Sequence, residues 1–166
     1  MSVCRKRLII WLVLTGVSIA TGIGIDTALK TEAFPTVLRL VGFIGVVLAH
    51  FPLKRTGKLL TALGEPKEWG CTSRLITTDI YQCVRHPHHL AIGIFMTSLG
   101  LLIGHIWSFL IISISQWIWI IAFLFMVEEK EVEEKFGEEY KAYRQRVPML
   151  LPKPGCIFRV LTKSLK

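Results

Sequence analysis

Acidic residues are scarce in this chain, and closely spaced cysteine pairs are missing. Only 12 Asp and Glu stand against 20 Lys and Arg in 166 residues, and charged residues make up just 19%. So little charge does not suit a small soluble protein, whose surface must be mostly wetted. The four cysteines, Cys4, Cys71, Cys83 and Cys156, include no CxxC spacing, which excludes a short metal or redox pair. Their expected positions face a reducing cytosol, so no disulfide framework is expected. Cys4, beside a basic cluster and an apolar run, is a minor candidate for palmitoylation. No repeat or low-complexity stretch appears. No aromatic or Gly-rich reader accompanies the formal charge of +8, so nucleic acid is not an expected partner.

Apolar sequence is what the chain has in excess: 52% of it is hydrophobic, and the mean hydropathy is +0.51. Its length is that of one domain, taken as 1–166. Residues 8–29 are apolar nearly throughout and reach roughly 33 Å as a helix, enough to cross a hydrocarbon core. That run is too long for a signal peptide, and no small-residue cleavage site follows it. Residues 35–53 form a second expected span, with Pro35 at its start and Pro52 at its exit. Arg39 lies one turn in and snorkels to the interface, and His50 reads as an interfacial histidine. Leu90–Val127 is 38 residues, about 57 Å if straight, so it must fold back. Gly104-His105 is the expected reversal, giving spans 90–104 and 106–127, and Gly100 with Gly104 lets the two helices approach closely.

The segments 1–7, 54–89 and 128–166 carry 3, 6 and 9 basic residues, 18 of the 20. The positive-inside rule then predicts a multi-pass integral membrane protein with both termini cytoplasmic. The fold class expected is an all-α membrane bundle of about four spans with a C-terminal cap helix.

That topology collects YQCVRHPHHL, residues 81–90, and EEKEVEEKFGEEYKAYRQRV at one face. In the second segment Val132, Phe136, Tyr140, Tyr143 and Val147 form one helical stripe. Most of its seven glutamates lie off the stripe and read as a solvated face. At about 100° per residue, however, Glu129 falls near the stripe's centre and Glu128 at its edge. A carboxylate turned toward a packed surface needs cationic or hydrogen-bonding partners, and Arg85 and the neighbouring histidines supply them. A salt bridge that merely fastens the cap is the alternative. No metal site is expected at HPHH, because His88 and His89 are adjacent and point differently, with no Cys or Asp at ligand spacing.

LITTDIYQCVRHPHHLAIG, followed by EEKEVEEKFGEEYKAYRQRVPMLLP, resembles the isoprenylcysteine carboxyl methyltransferase family and its phospholipid-methyltransferase relatives. The resemblance spans roughly residues 71–152 and rests on a Tyr ahead of RHP, a glutamate pair, FGEEY, YxxRV and a closing Pro. It implies S-adenosylmethionine as cofactor, held without a Rossmann domain. It also implies cofactor contacts from Ser73, Arg74, Leu75, Ile76, Tyr81, His86, Pro87, His89 and Glu128. Resemblance thus prefers Glu128 where helix geometry prefers Glu129. Both are kept, Glu128 first, because a helix can overwind where it leaves the membrane. Three positions depart from the family: His89 where Tyr is usual, Asp79 where Gly is common, and Leu124 where the prenylcysteine enzymes carry an arginine for the substrate.

The residue types suit such a cofactor. A carboxylate serves its ammonium or ribose, Arg85 and His86 its carboxylate, and Leu75 and Ile76 its adenine. Pro87 fixes the turn that aims the histidines. A carboxylate or thiolate acceptor needs no base, whereas an amine or neutral thiol needs His86, His88 or His89 to take its proton, with His88 and His89 the catalytic candidates. A lipidic or apolar acceptor would enter sideways from the bilayer. The competing readings are an NADPH-dependent membrane reductase of the sterol-reductase type and a non-enzymatic membrane protein.

Overall fold

The computed structural model describes residues 3–65 and 72–156, and side chains from residue 5 onward. Cys71 and the side chain of Cys4 lie outside the described residues. All regular structure is helical: α1 (Val3–Leu29), α2 (Thr36–Leu63), a 3-10 turn (Asp79–Gln82), α3 (Pro87–Ile103), α4 (Ile106–Phe123), a π turn (Leu124–Glu128) and α5 (Glu129–Arg146). Three helices are long and apolar enough to cross a membrane, the third being the continuous Ile106–Arg146, and α3 is a shorter apolar helix. In the bundle α3 lies between α2 and α4, and α1 packs on the far side of α4.

The hairpin falls where expected. Gly104 ends α3 at φ 83°, a left-handed conformation that suits glycine, and its N–H donates to the Gly100 carbonyl at 3.3 Å. Asp26 of α1 caps α4 from outside: its carboxylate accepts from the Trp107 and Ser108 amides at 3.1 and 2.7 Å and from the Ser108 hydroxyl at 2.7 Å. A polar seam joins α1 to α4. Trp11 donates to the Gln116 amide oxygen, and the Gln116 amide nitrogen donates to Thr15, both at 3.0 Å. Between apolar helices such bonds substitute for a hydrophobic driving force that lipid cannot supply. Elsewhere the long helices turn residues such as Val13, Val17, Val37 and Leu48 outward.

Two expectations are corrected at the other end of the bundle. Pro52 does not end the second helix: α2 runs through it to Leu63. Proline removes only its own N–H, and the turn after it is held by the Thr56 hydroxyl, which donates to the Pro52 carbonyl at 2.8 Å. The extension gives Arg55 a bidentate ion pair with Asp79, at 2.8 and 2.7 Å. Cys83 and Cys156 are joined in a disulfide, with Cα atoms 5.5 Å apart. The two lie 73 residues apart, and no local spacing marks them. They meet because the tail returns along the 83–86 loop, where the Arg85, His86 and Lys153 amides donate to the carbonyls of Pro148, Met149 and Cys83.

Two stability tests follow. A β carbon on Gly42 would meet the Leu102 amide nitrogen at 2.5 Å, while one on Gly16 would meet nothing within 4 Å. Gly42→Val is expected to cost about 1–3 kcal/mol and to lower the melting temperature in detergent, whereas Gly16→Ala leaves it level or higher. Reducing the Cys83–Cys156 bond is expected to remove stability of the order of 4 kcal/mol by the chain-entropy relation. Cys156→Ser should show the same lower melting temperature and no further response to reductant.

Candidate functional site

The site forms where the RHP turn, the π turn and α5 meet. Pro87 opens α3, with its missing N–H at a position that needs none. Arg85 and His86 precede it on a loop pinned to the tail. Opposite them, α4 widens into the π turn before α5 begins. The expectation that the helix overwinds here is therefore corrected. A π turn takes more residues per turn, so the 100° register is lost. Glu128 and Glu129 consequently both reach His86, although a uniform helix would separate them.

His86 Nε2 lies 2.6 Å from Glu129 Oε1, and His86 Nδ1 lies 3.4 Å from Glu128 Oε1. Carboxylate oxygens only accept, so both ring nitrogens carry hydrogen and the buried imidazole is a cation. Burial opposes that charge, but the hydrogen bonds to Glu128 and Glu129 raise His86 to about 9. Burial likewise pushes Glu129 up, and His86 and Tyr140 outweigh it, holding the carboxyl at about 2. Glu129 is fully engaged. Arg85 Nη1 donates to its Oε2 at 2.5 Å, and Tyr140, one of the most buried side chains, donates to its Oε1 at 2.5 Å.

Glu128 differs. Its Oε2 is sealed from solvent and accepts no hydrogen bond among the described residues; His89 Nε2 stands 3.3 Å away. Burial pushes its carboxyl up, and His89 and His86 together bring it to about 2. Arg85 Nε is a second buried polar atom without a partner among the described residues. His86, His89 and Glu128 also offer ligand-type atoms within 4.8 Å of one another. The spacing of HPHH did not reveal this, because the carboxylate comes from a different helix. Both nitrogens of His86 are committed to carboxylates, so the trio is an ion-paired cluster.

Ser73, Arg74, Leu75 and Ile76 do not touch that cluster. They belong to residues 73–78, which line a cavity of about 600 Å³ with Leu63, Phe136 and Glu139. Leu75 and Phe136 also pack on Tyr140, Tyr143 and Val147, so the predicted stripe links the cavity lining to the tyrosine that bonds Glu129. It is not one continuous helix, because Gly137 breaks α5 at φ 52°. Tyr81 is buried with Ile76 and Ile80 against Leu59 and Leu60, and its carbonyl accepts from the Tyr143 hydroxyl at 2.6 Å. His88 points away from the carboxylates and meets Thr56 at 2.9 Å.

Tyr140 and Thr56 were not singled out as site residues. Tyr140 had a signal, its place on the stripe, but its hydroxyl bond to Glu129 is tertiary. The Asp79 departure is explained: it sits at φ 57°, where glycine is favoured, and is held there by Arg55 and by the Ile80 amide at 2.7 Å. Leu124 is completely buried at the start of the π turn.

Residues 31–139 match the phospholipid methyltransferase family, and the chain belongs to it. It is similar to methanethiol S-methyltransferase of Pseudomonas deceptionensis, 32% identical over 64% of this chain and 38% of that protein. It is also similar to protein-S-isoprenylcysteine O-methyltransferase of Schizosaccharomyces pombe, 35% identical over 47% of this chain and 33% of that protein. The chain thus spans about a third of the length of these relatives. No solved structure matches it significantly.

The cluster makes stability depend on alkaline pH. His86 is raised in the folded state above its usual 6.5, so its contribution is complete below that value and is lost as pH rises through about 9. The melting temperature in detergent should fall between pH 7 and pH 10, and His86→Gln should lower it at pH 7 and flatten this slope.

Proposed function

We propose that the chain is an integral membrane methyltransferase that uses S-adenosylmethionine and passes its methyl group to a lipidic or apolar acceptor, with the site at the cytoplasmic face and both termini on that side. The observation that carries this reading is Glu128 Oε2, a buried carboxylate oxygen that accepts no hydrogen bond among the described residues, beside Glu129, whose two oxygens accept three. A buried anion of that kind suits an ammonium or hydroxyl donor on a guest.

The remaining groups fit the same cofactor. Arg85 Nε is a buried donor for a carboxylate. Leu75, Ile76 and Phe136 offer an apolar wall for adenine, with Ser73 and Arg74 at the same cavity. His86, with both nitrogens committed, acts by orienting Glu128 and Glu129. Glu129 is the scaffold carboxylate and Glu128 the binding one. When bound, S-adenosylmethionine supplies a methyl group already activated by its sulfonium. The chain's task is to align an acceptor and exclude water. Methyl transfer is also the reaction named for both relatives. The basic residues concentrated in 1–7, 54–89 and 128–166 support the orientation, while the Cys83–Cys156 bond on the same face argues against it, because a reducing cytosol opposes disulfides.

Calorimetry in detergent is expected to show micromolar binding of S-adenosylhomocysteine. Glu128→Ala should weaken it by about 10–100-fold, the loss of one charge-assisted contact. Wild-type protein that binds NADPH but not S-adenosylhomocysteine would overturn this function.

A further inference from the structure

Glu139 is among the glutamates that periodicity assigns to a solvated face, and the fold gives it a second neighbour. It lines the cavity of about 600 Å³, together with Leu63, Phe136 and residues 73–78. The side chain is exposed and forms no hydrogen bond or ion pair among the described residues. The cations of α5 around it are committed elsewhere. Lys141 pairs with Glu138 at 2.7 Å and Arg144 with Glu133 at 2.9 Å, while Lys135 donates to the Thr72 carbonyl. Arg74, the cation among the described residues of the lining, stands 3.8 Å from Glu65.

Tyr140, the next residue, is buried and donates to Glu129 Oε1 at 2.5 Å. Adjacent positions of α5 thus present a carboxylate to the cavity and a phenol to the ion-paired cluster. The cavity's volume suits a small molecule. Leu75, Ile76 and Phe136 give it apolar surface for a planar base, and Thr77, Thr78 and Glu139 give it polar atoms for a sugar. A carboxylate only accepts hydrogen bonds, so the guest of Glu139 must bring donors.

We propose that Glu139 binds the ribose of S-adenosylmethionine, its two carboxylate oxygens accepting from the 2′- and 3′-hydroxyls. This deepens the methyltransferase reading above and rests on it. A vicinal diol sets two donors side by side, which matches the two oxygens of one carboxylate. An acidic side chain on a ribose hydroxyl is also how dinucleotide sites of a different fold hold the sugar. Here the same chemistry comes from an exposed residue of a cap helix.

The cofactor's other donors fit Glu139 less well. The ammonium belongs to the amino acid head, beside the carboxylate that Arg85 Nε suits, so it goes with the Glu128 cluster. The adenine amino group has an acceptor nitrogen next to it on the same edge, and that nitrogen would face the anion. The ribose hydroxyls carry no such conflict. The same charge sets specificity, because a nucleotide with a 2′-phosphate would bring its own anion against Glu139.

The test is calorimetry on the full chain in nanodiscs. Wild type is expected to bind S-adenosylhomocysteine about 10-fold more tightly than its 2′-deoxy and 3′-deoxy analogues. Glu139→Ala should weaken S-adenosylhomocysteine by a similar factor and bind all three alike, and Glu139→Gln, which keeps one acceptor, should fall between the two. A merely structural role would leave the preference for the diol in place. Glu134→Ala removes another exposed glutamate of α5, one outside the cavity lining, and should change neither affinity nor preference. Equal binding of the three ligands by wild type, a diol preference kept in Glu139→Ala, or its loss in Glu134→Ala would each overturn the ribose assignment. If S-adenosylhomocysteine binds wild type in those cases and Glu128→Ala weakens it, the methyltransferase reading stands without that assignment. Absence of binding to wild type overturns both.

Discussion

A single imidazolium holds the site together. Glu128 and Glu129 are neighbours in sequence, and two carboxylates aimed at one buried point repel each other unless a cation lies between them. His86 is that cation, with one nitrogen toward each. Its backbone amide is tied to the Met149 carbonyl and that of Arg85 to Pro148, so the same residues join the RHP turn to the tail. Tyr140 closes the cluster from α5. Three segments distant in the chain are thereby held by one charge arrangement, and the buried Glu128 Oε2 accepts no hydrogen bond among the described residues.

The two glutamates differ in their surroundings. Glu129 is the fastening ion pair, bonded to Arg85, His86 and Tyr140. Glu128 is held in place by His86 but keeps a free acceptor. The geometry that permits this is the π turn, a local widening that helices carry at a cost and that recurs at functional sites. On the other side of α3, α2 reaches past Pro52 to support the loop through Arg55–Asp79 and His88 through Thr56. The two sides of one short motif thus answer to different helices: His86 and His89 to the π turn, His88 to α2.

The chain is similar to proteins named for methyl transfer to sulfur and to oxygen, and it spans about a third of the length of each.

Length, apolar runs and their breaks were enough to determine the helical class, the hairpin at Gly104-His105 and the amphipathic stripe of α5, because each depends on neighbours within a few turns. The RHP motif, the glutamate pair and FGEEY pointed to the family for the same local reason. The helix through Pro52, the Cys83–Cys156 bond, the meeting of both glutamates on His86 and the Thr56–His88 contact were decided only in three dimensions. Each depends on a partner tens of residues away or on a π turn that uniform helical periodicity cannot express. A proline, a cysteine or a glutamate pair carries no mark of which distant group will satisfy it.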